Sequence, residues 1–109
     1  MEFKKELRAS QAIKITAVEN DQVIGRASLY LIYNDLHAEP YGLLEDVFVE
    51  EHARGQGLGT KLTETIIAEA KERGCHKLIA NSRYSRPEVH KMYEKIGFKD
   101  YGKEFKIEF

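Results

Sequence analysis

The chain predicts an α/β fold, a mixed antiparallel and parallel sheet flanked by two main helices, and three observations carry that prediction. Apolar and polar residues alternate on both sides of an Asn20-Asp21 turn, the pattern of an antiparallel hairpin. Between Tyr41 and Ser82 a strand, a glycine-rich turn, an amphipathic helix and another strand follow so closely that they read as a right-handed parallel crossover. A second helix, opened by Pro87 and stopped by Gly97, comes after it. With 109 residues, no repeat and no low-complexity stretch, residues 1–109 read as one domain.

Met1 to Gln11 alternates charge and bulk weakly and fits a short strand, a helical turn or a frayed end. Ala12 to Glu19 reads as a strand with Ile13, Ile15 and Ala17 on one face and Lys14 and Thr16 on the other. Gln22 to Tyr33 returns beside it, with Ala27, Leu29, Leu31 and Tyr33 alternating against Arg26, Ser28, Tyr30 and Ile32. Asn34 to Pro40 is a polar loop, and Tyr41 to Glu50 is a third strand, apolar from Leu43 to Val49 apart from Glu45 and Asp46. A helix is expected from about Gly57 to Arg73. Leu58, Leu62, Ile66 and Ala70 form its stripe, Ile67 widens it, and Gly74 stops it. Lys77 to Ser82 is a fourth strand. The second helix buries Val89, Met92, Tyr93 and Ile96, and two closing strands, Phe98 to Tyr101 and Lys103 to Phe109, are expected around Gly102.

Hydrophobic residues at 42% and charged residues at 32% are the balance of a globular chain, not a disordered one. A formal net charge of −1 provides no global field for nucleic acid or an anionic membrane. No apolar run is long enough to cross a bilayer, and Met1 to Arg8 has no apolar signal-peptide core. Cys75, the single cysteine, allows no internal disulfide, which suits a reducing compartment, and the expected location is cytoplasmic. Just past a helix-ending glycine, Cys75 reads as a small residue entering a strand. His37, His52 and His76 lack metal-ligand spacing, and no metal is expected.

The glycine turn is where the chemistry starts. Gly55, Gly57 and Gly59 alternate, so the backbone there can approach a ligand closely. The next helix begins among them, and its first N–H groups have no partner within the helix while its dipole adds partial positive charge. Such an end binds an anion, most simply a phosphate or diphosphate. A mononucleotide loop would need Gly-Lys-[Ser/Thr], but Gly59 is followed by Thr60 and then Lys61. A dinucleotide loop would need G-x-G-x-x-G and an acidic end to the next strand, but here the spacing is G-x-G-x-G and that strand ends Ala80-Asn81-Ser82.

Arg54-Gly55-Gln56-Gly57-Leu58-Gly59, after a Val-x-Val strand, matches [QR]-x-x-G-x-[GA] and resembles motif A of the GNAT superfamily of acyl-CoA N-acyltransferases. Tyr93-Glu94-Lys95-Ile96-Gly97-Phe98 resembles that family's closing Tyr-x-x-x-Gly-Phe signature, and Glu88 to Tyr93 ahead of it is close to a common family form. The resemblance runs from about Ile13 to the C-terminus. It implies that acetyl-CoA is the acyl donor. It implies that the backbone of Val47, Phe48 and Val49 pairs with the pantetheine arm, one N–H there polarising the thioester carbonyl. It implies that Arg54, Gly55, Gln56, Gly57, Leu58, Gly59 and Thr60 cradle the diphosphate. Tyr93 becomes the general acid for the leaving thiolate, and an ordinary phenol, with pKa ~10, holds its proton at neutral pH. By its place on the apolar stripe alone, Tyr93 would instead be a core aromatic.

Glu45 and Asp46 interrupt an apolar strand, which is costly unless they are paired, hydrated or functional. The family often places a carboxylate base on this strand. Glu45 is favoured for it, with Asp46 as the alternative base or as an anchor for the substrate ammonium, and a salt bridge to an Arg or Lys of a neighbouring strand remains open for either. Arg86 stands where many relatives carry a cofactor-contacting asparagine, and it is expected to meet a phosphate or an acidic substrate. His90, on the same helix as Tyr93, reads as a surface or CoA-side residue.

Typical members place a strand and two helices before the hairpin, where this chain has about eleven residues. The resemblance therefore implies a short member, and a sheet face left uncovered by those helices would expose apolar residues, so a homodimer is expected. Two functions compete. One is an acetyl-CoA-dependent N-acetyltransferase moving an acetyl group to a small-molecule or protein amine in a ternary complex. The other is a non-catalytic module or sensor that holds acetyl-CoA or CoA. A different βαβ nucleotide binder is the more remote reading.

Overall fold

The computed structural model describes residues 1–109. Strand β1 (Gln11–Glu19) turns through Asn20 and Asp21 into β2 (Gln22–Ile32). Both turn residues have positive φ, 52° and 62°, the mirror-image turn whose twist suits a hairpin and which Asn and Asp tolerate. β3 (Tyr41–Val49) lies antiparallel beside β2. A short 3-10 turn (Glu51–Ala53) leads to α1 (Leu58–Glu72), then β4 (Leu78–Ala80) and α2 (Pro87–Lys95). The sheet order is β1-β2-β3-β4, with β4 parallel to β3. No helix is long and apolar enough to cross a membrane.

The core lies between one sheet face and α1. Ala27, Leu29 and Leu31 of β2 and Leu44 of β3 meet Leu62, Ile66 and Ala70 of α1. The expected helix stripe is thus the buried one. Thr63, also fully buried, is satisfied by donating from Oγ1 to the Gly59 carbonyl at 2.8 Å. The two glycines under the helix have steric work. A Cβ on Gly42 would lie 2.7 Å from Leu29 Cδ1 and 2.9 Å from Leu78 Cδ1, and one on Gly25 would lie 3.1 Å from Leu62 Cδ1.

Three expectations change. The stripe of the second helix, Val89, Met92, Tyr93 and Ile96, is half-buried and none of it is fully buried, because the helix lies at the rim of the core. The fourth strand is shorter than Lys77 to Ser82, because only Gly42, Leu43 and Leu44 of β3 pair with it, opposite Leu78, Ile79 and Ala80. The two closing strands are absent. From Lys99 to Phe109 every residue is exposed, and none of their backbone groups is hydrogen-bonded within the chain. An alternating sequence supplies a strand's faces but not its ladder, and here no neighbouring edge lies against it. The sheet face turned away from α1 carries Lys14, Thr16, Arg26, Ser28 and Tyr30 together with the partly exposed apolar residues Ile32, Leu43 and Ile79. Further exposed apolar side chains sit in the tail, at Tyr101, Phe105, Ile107 and Phe109.

Candidate active site

The parting of β3 from β4 creates the site. After Leu44 the two strands no longer pair, so the stretch Glu45 to Val49 has β2 on one side and an open gap on the other. A bulge sharpens the opening. Ser28 faces Glu45 and Arg26 faces Phe48, so Asp46 and Val47 together oppose the single residue Ala27. Asp46 takes φ 56°, a left-handed conformation that Asp tolerates better than most residues. The bulge resets the alternation, so that Leu44, Val47 and Val49 all turn toward the core.

Arg26 fixes this kink. Its Nε donates to Asp46 Oδ2 at 2.9 Å and its Nη2 to Oδ1 at 3.1 Å. That bidentate pair, more than any other cause, holds the Asp46 carboxyl below its ordinary range and raises the Arg26 guanidinium above its own. The same guanidinium lies over the Phe48 ring, 4.6 Å from its centroid, and Arg54 lies over that ring at 5.7 Å. Of the two acidic residues, Asp46 is therefore the salt-bridged one. Glu45 is exposed, and its negative charge reaches Tyr93.

Val49 leads into the 3-10 turn and then the glycines. Arg54 Nε donates back to the Val49 carbonyl at 2.9 Å, which folds the turn onto the strand end. Gly55 and Gly57 have φ of 80° and 79°, and an added Cβ at either would meet nothing within 4 Å, so glycine is needed there for backbone angle and not for room. Gly57 caps α1 with no side-chain hydrogen bond, and the first turn holds no acidic residue. The first helical bond runs from Lys61 N to the Gly57 carbonyl at 3.1 Å, leaving the N–H groups of Leu58, Gly59 and Thr60 without helical partners. Such an uncapped helix end suits an anion.

Tyr93 of α2 is half-buried, packs against the core and sets its ring 5.1 Å from Phe98. Burial pushes its phenol pKa up, Glu45 pushes it further, and Arg86 works the other way. Glu45 and Arg86 thus both act electrostatically on Tyr93, although the three are spread over half of the sequence. Arg86 itself donates from Nε to Glu88 Oε1 at 3.0 Å. The His90 ring shares a 2.8 Å hydrogen bond with the Arg83 carbonyl, which ties the helix to its preceding turn. Cys75 has its thiol pKa raised by burial, which makes it a poor nucleophile. The residue that strand alternation alone did not single out is Arg26. The signal for it was a cation on β2 with two carboxylates on the next strand.

The family model for the acetyltransferase (GNAT) family matches residues 2–98. A rice (Oryza sativa subsp. japonica) protein named glucosamine 6-phosphate N-acetyltransferase 1 is 34% identical over 99 residues, covering 86% of this chain and 58% of the relative. A solved putative acetyltransferase from Agrobacterium tumefaciens superposes with a TM-score of 0.82 at 29% identity, over 90% of this chain and 69% of that one. A predicted acetyltransferase from Clostridium acetobutylicum, solved with acetyl-CoA, superposes with a TM-score of 0.72 at 26% identity, over 89% of this chain and 64% of that one. The chain spans between 39% and 66% of the lengths of the curated relatives it matches.

Proposed function

The chain belongs to the acetyltransferase (GNAT) family, and we propose that it moves an acetyl group from acetyl-CoA to a primary amine by direct transfer in a ternary complex. One observation carries the reading: the gap between β3 and β4 ends at an uncapped helix N-terminus and has a carboxylate, Glu45, and a phenol, Tyr93, within reach of one another.

The residues fit the donor. A diphosphate would accept from the free N–H groups of Leu58, Gly59 and Thr60, with Gly55, Gln56 and Gly57 shaping the turn. Arg54, engaged by Val49 and Phe48, would contribute through its backbone, and Arg86 is the cation for a further phosphate or for an acidic group on the acceptor. The donor supplies an acetyl group already activated as a thioester. The backbone of Val47 to Val49 would hold the pantetheine arm, and one N–H there would donate to the carbonyl oxygen as negative charge develops. Glu45, directly or through water, would take the proton of the incoming ammonium, and Tyr93 would give its own proton to the departing sulfur. Asp46 is committed to Arg26 and braces the strand.

The acceptor is a small amine. Several relatives are named glucosamine 6-phosphate N-acetyltransferases, which makes that amino sugar the first to test. We further propose a homodimer and a cytoplasmic setting, the latter supported by the lone free thiol of Cys75.

Thermal shift with acetyl-CoA, followed by a thiol-release assay over a panel of amines, tests the function. Stabilisation and acetyl-dependent thiol release are expected. Stabilisation with no release over the panel would make the chain a binding module, and stabilisation by ATP or NAD but not by CoA would overturn the donor.

A further inference from the structure

The sheet face turned away from α1 carries a row of polar side chains that the transfer chemistry uses only at one end. Lys14 of β1 is paired with Ser28 of β2, and Ser28 with Glu45 of β3, so the three stand side by side across three strands. Two interstrand spacings, roughly 10 Å, separate the ends of the row. Lys14 and Glu45 are exposed, with Ser28 half-buried between them. Neither charge has an ion-pair partner. The other cations of this face are engaged: Arg26 holds Asp46, and Lys77 lies over the Tyr41 ring, 5.0 Å from its centroid. Apolar Tyr30, Leu43 and Ile79 border the row on one side, and the Arg26–Asp46 pair borders it on the other. The Asp46 carboxyl is held down first by the Arg26 hydrogen bonds and in smaller part by Lys14, so the Lys14 ammonium reaches toward β3.

We propose that the acceptor is an anionic amine, a compound with a phosphate or carboxylate as well as its amino group, lying along this row with its ammonium at Glu45, a polar atom at Ser28 and its anion at Lys14. Tyr93 packs with the core on the α1 side of the sheet, whereas Glu45 stands on the outer face, and β3 and β4 are unpaired beyond Leu44 and Ala80. A thioester held in that gap is therefore open to an acceptor arriving over the outer face. One anion and one cation set apart along the row attract a molecule that carries both charges in the reverse order. A plain alkylamine leaves Lys14 unused, and a polyamine brings like charge against it, so the row also selects against both. Arg86 belongs to α2, which packs on the α1 side, and is left to the donor.

This inference rests on the acetyl transfer proposed above and names its acceptor class. Thiol release is measured with two matched pairs, glucosamine 6-phosphate against glucosamine and 6-aminohexanoate against hexylamine. The anionic member should have a kcat/KM at least tenfold higher in one pair or in both. A preference in the phosphate pair alone names a phosphate, one in the carboxylate pair alone names a carboxylate, and both together name an anion of either kind. Equal values in both pairs overturn the proposal. Lys14→Glu should bring the ratio to one or below by raising KM for the anionic member, and Lys14→Arg should keep it. A ratio that Lys14→Glu leaves unmoved takes the anion away from Lys14 and overturns the row. Binding is read without turnover from backbone amide shifts, with and without CoA, as each anionic amine is titrated in. Shifts at Lys14, Ser28 and Glu45 that vanish in Lys14→Glu are expected. Such shifts without thiol release would uphold the row and sink the transfer, and their absence overturns the row whatever the turnover.

Discussion

Arg26 and Asp46 form a two-point clasp across β2 and β3, at the bulge where Asp46 turns left-handed and β3 has already parted from β4. Removing the guanidinium should relax the bulge and blur the backbone positions on which the thioester would rest. Arg26→Gln should lower kcat at least tenfold, and Arg26→Gln/Asp46→Asn should be little worse than either single change, because the two residues act as one unit. The acid dependence follows from the lowered Asp46 carboxyl. Its contribution is full above the ordinary value of 3.8 and is lost as pH falls through the lower folded value. The stability gap between wild type and Arg26→Gln should therefore hold constant above 3.8 and close below it, as read by urea unfolding across that range.

Tyr93→Phe should lower turnover by about 10²–10⁴-fold while leaving CoA affinity within about twofold, the pattern of a lost proton donor. Burial and Glu45 both raise the phenol above its ordinary 10.0, so it is more than half protonated at that pH. The kcat profile should show no alkaline midpoint from this group at or below 10. A limb near neutral pH that disappeared in Tyr93→Phe would remove Tyr93 from the role.

The three glycines of the turn should separate fold from ligand. Gly55→Ala and Gly57→Ala force a side chain into left-handed backbone and should each destabilise by ~1–2 kcal/mol. Gly59 lies inside α1 with ordinary φ, and an added Cβ would only graze Val49 Cγ2 at 4.0 Å. Gly59→Ala should raise the apo melting temperature, since alanine is favoured over glycine in a helix by ~1 kcal/mol. The same methyl should weaken stabilisation by acetyl-CoA, because it stands where the proposed diphosphate would approach. Thermal shift with and without acetyl-CoA reads both effects.

Leu29→Ala removes a fully buried side chain and should cost ~2–5 kcal/mol. Gly42→Ala drives a methyl into Leu29 and Leu78 and should cost ~1–3 kcal/mol. The double variant should be less damaged than the sum, because truncating Leu29 makes room for the new methyl. Denaturant unfolding of the four proteins measures the coupling.

Much of this was legible beforehand, for physical reasons that differ by element. Asn20-Asp21 and the alternation around it gave the hairpin away because a two-residue turn and a period of two are both local. The stripe through Leu62, Ile66 and Ala70 marked the buried face of α1 for the same reason. The bulge at Asp46 was not legible. A polar pair in an apolar strand fits a base, an anchor or a salt bridge, and only the register opposite Arg26 and Ser28 separates them. Tyr93 could be placed on its helix but not within the field of Glu45, since that depends on how α2 docks. The tail misled because alternation reports a strand's faces and is silent about which edge will accept it.

The short seam between β3 and β4 has a kinetic consequence. Three residue pairs, Gly42 with Leu78, Leu43 with Ile79 and Leu44 with Ala80, and one further bond from His76 N to the Pro40 carbonyl at 3.1 Å stitch the hairpin half to the last strand. Amide exchange should therefore be graded across the molecule, slowest from Ser28 to Leu31 of β2, where each residue is paired on both sides, and fast in β4 and α2. A ligand wedged into the gap would bridge that seam, so deuterium uptake of β4 is where donor binding should register first.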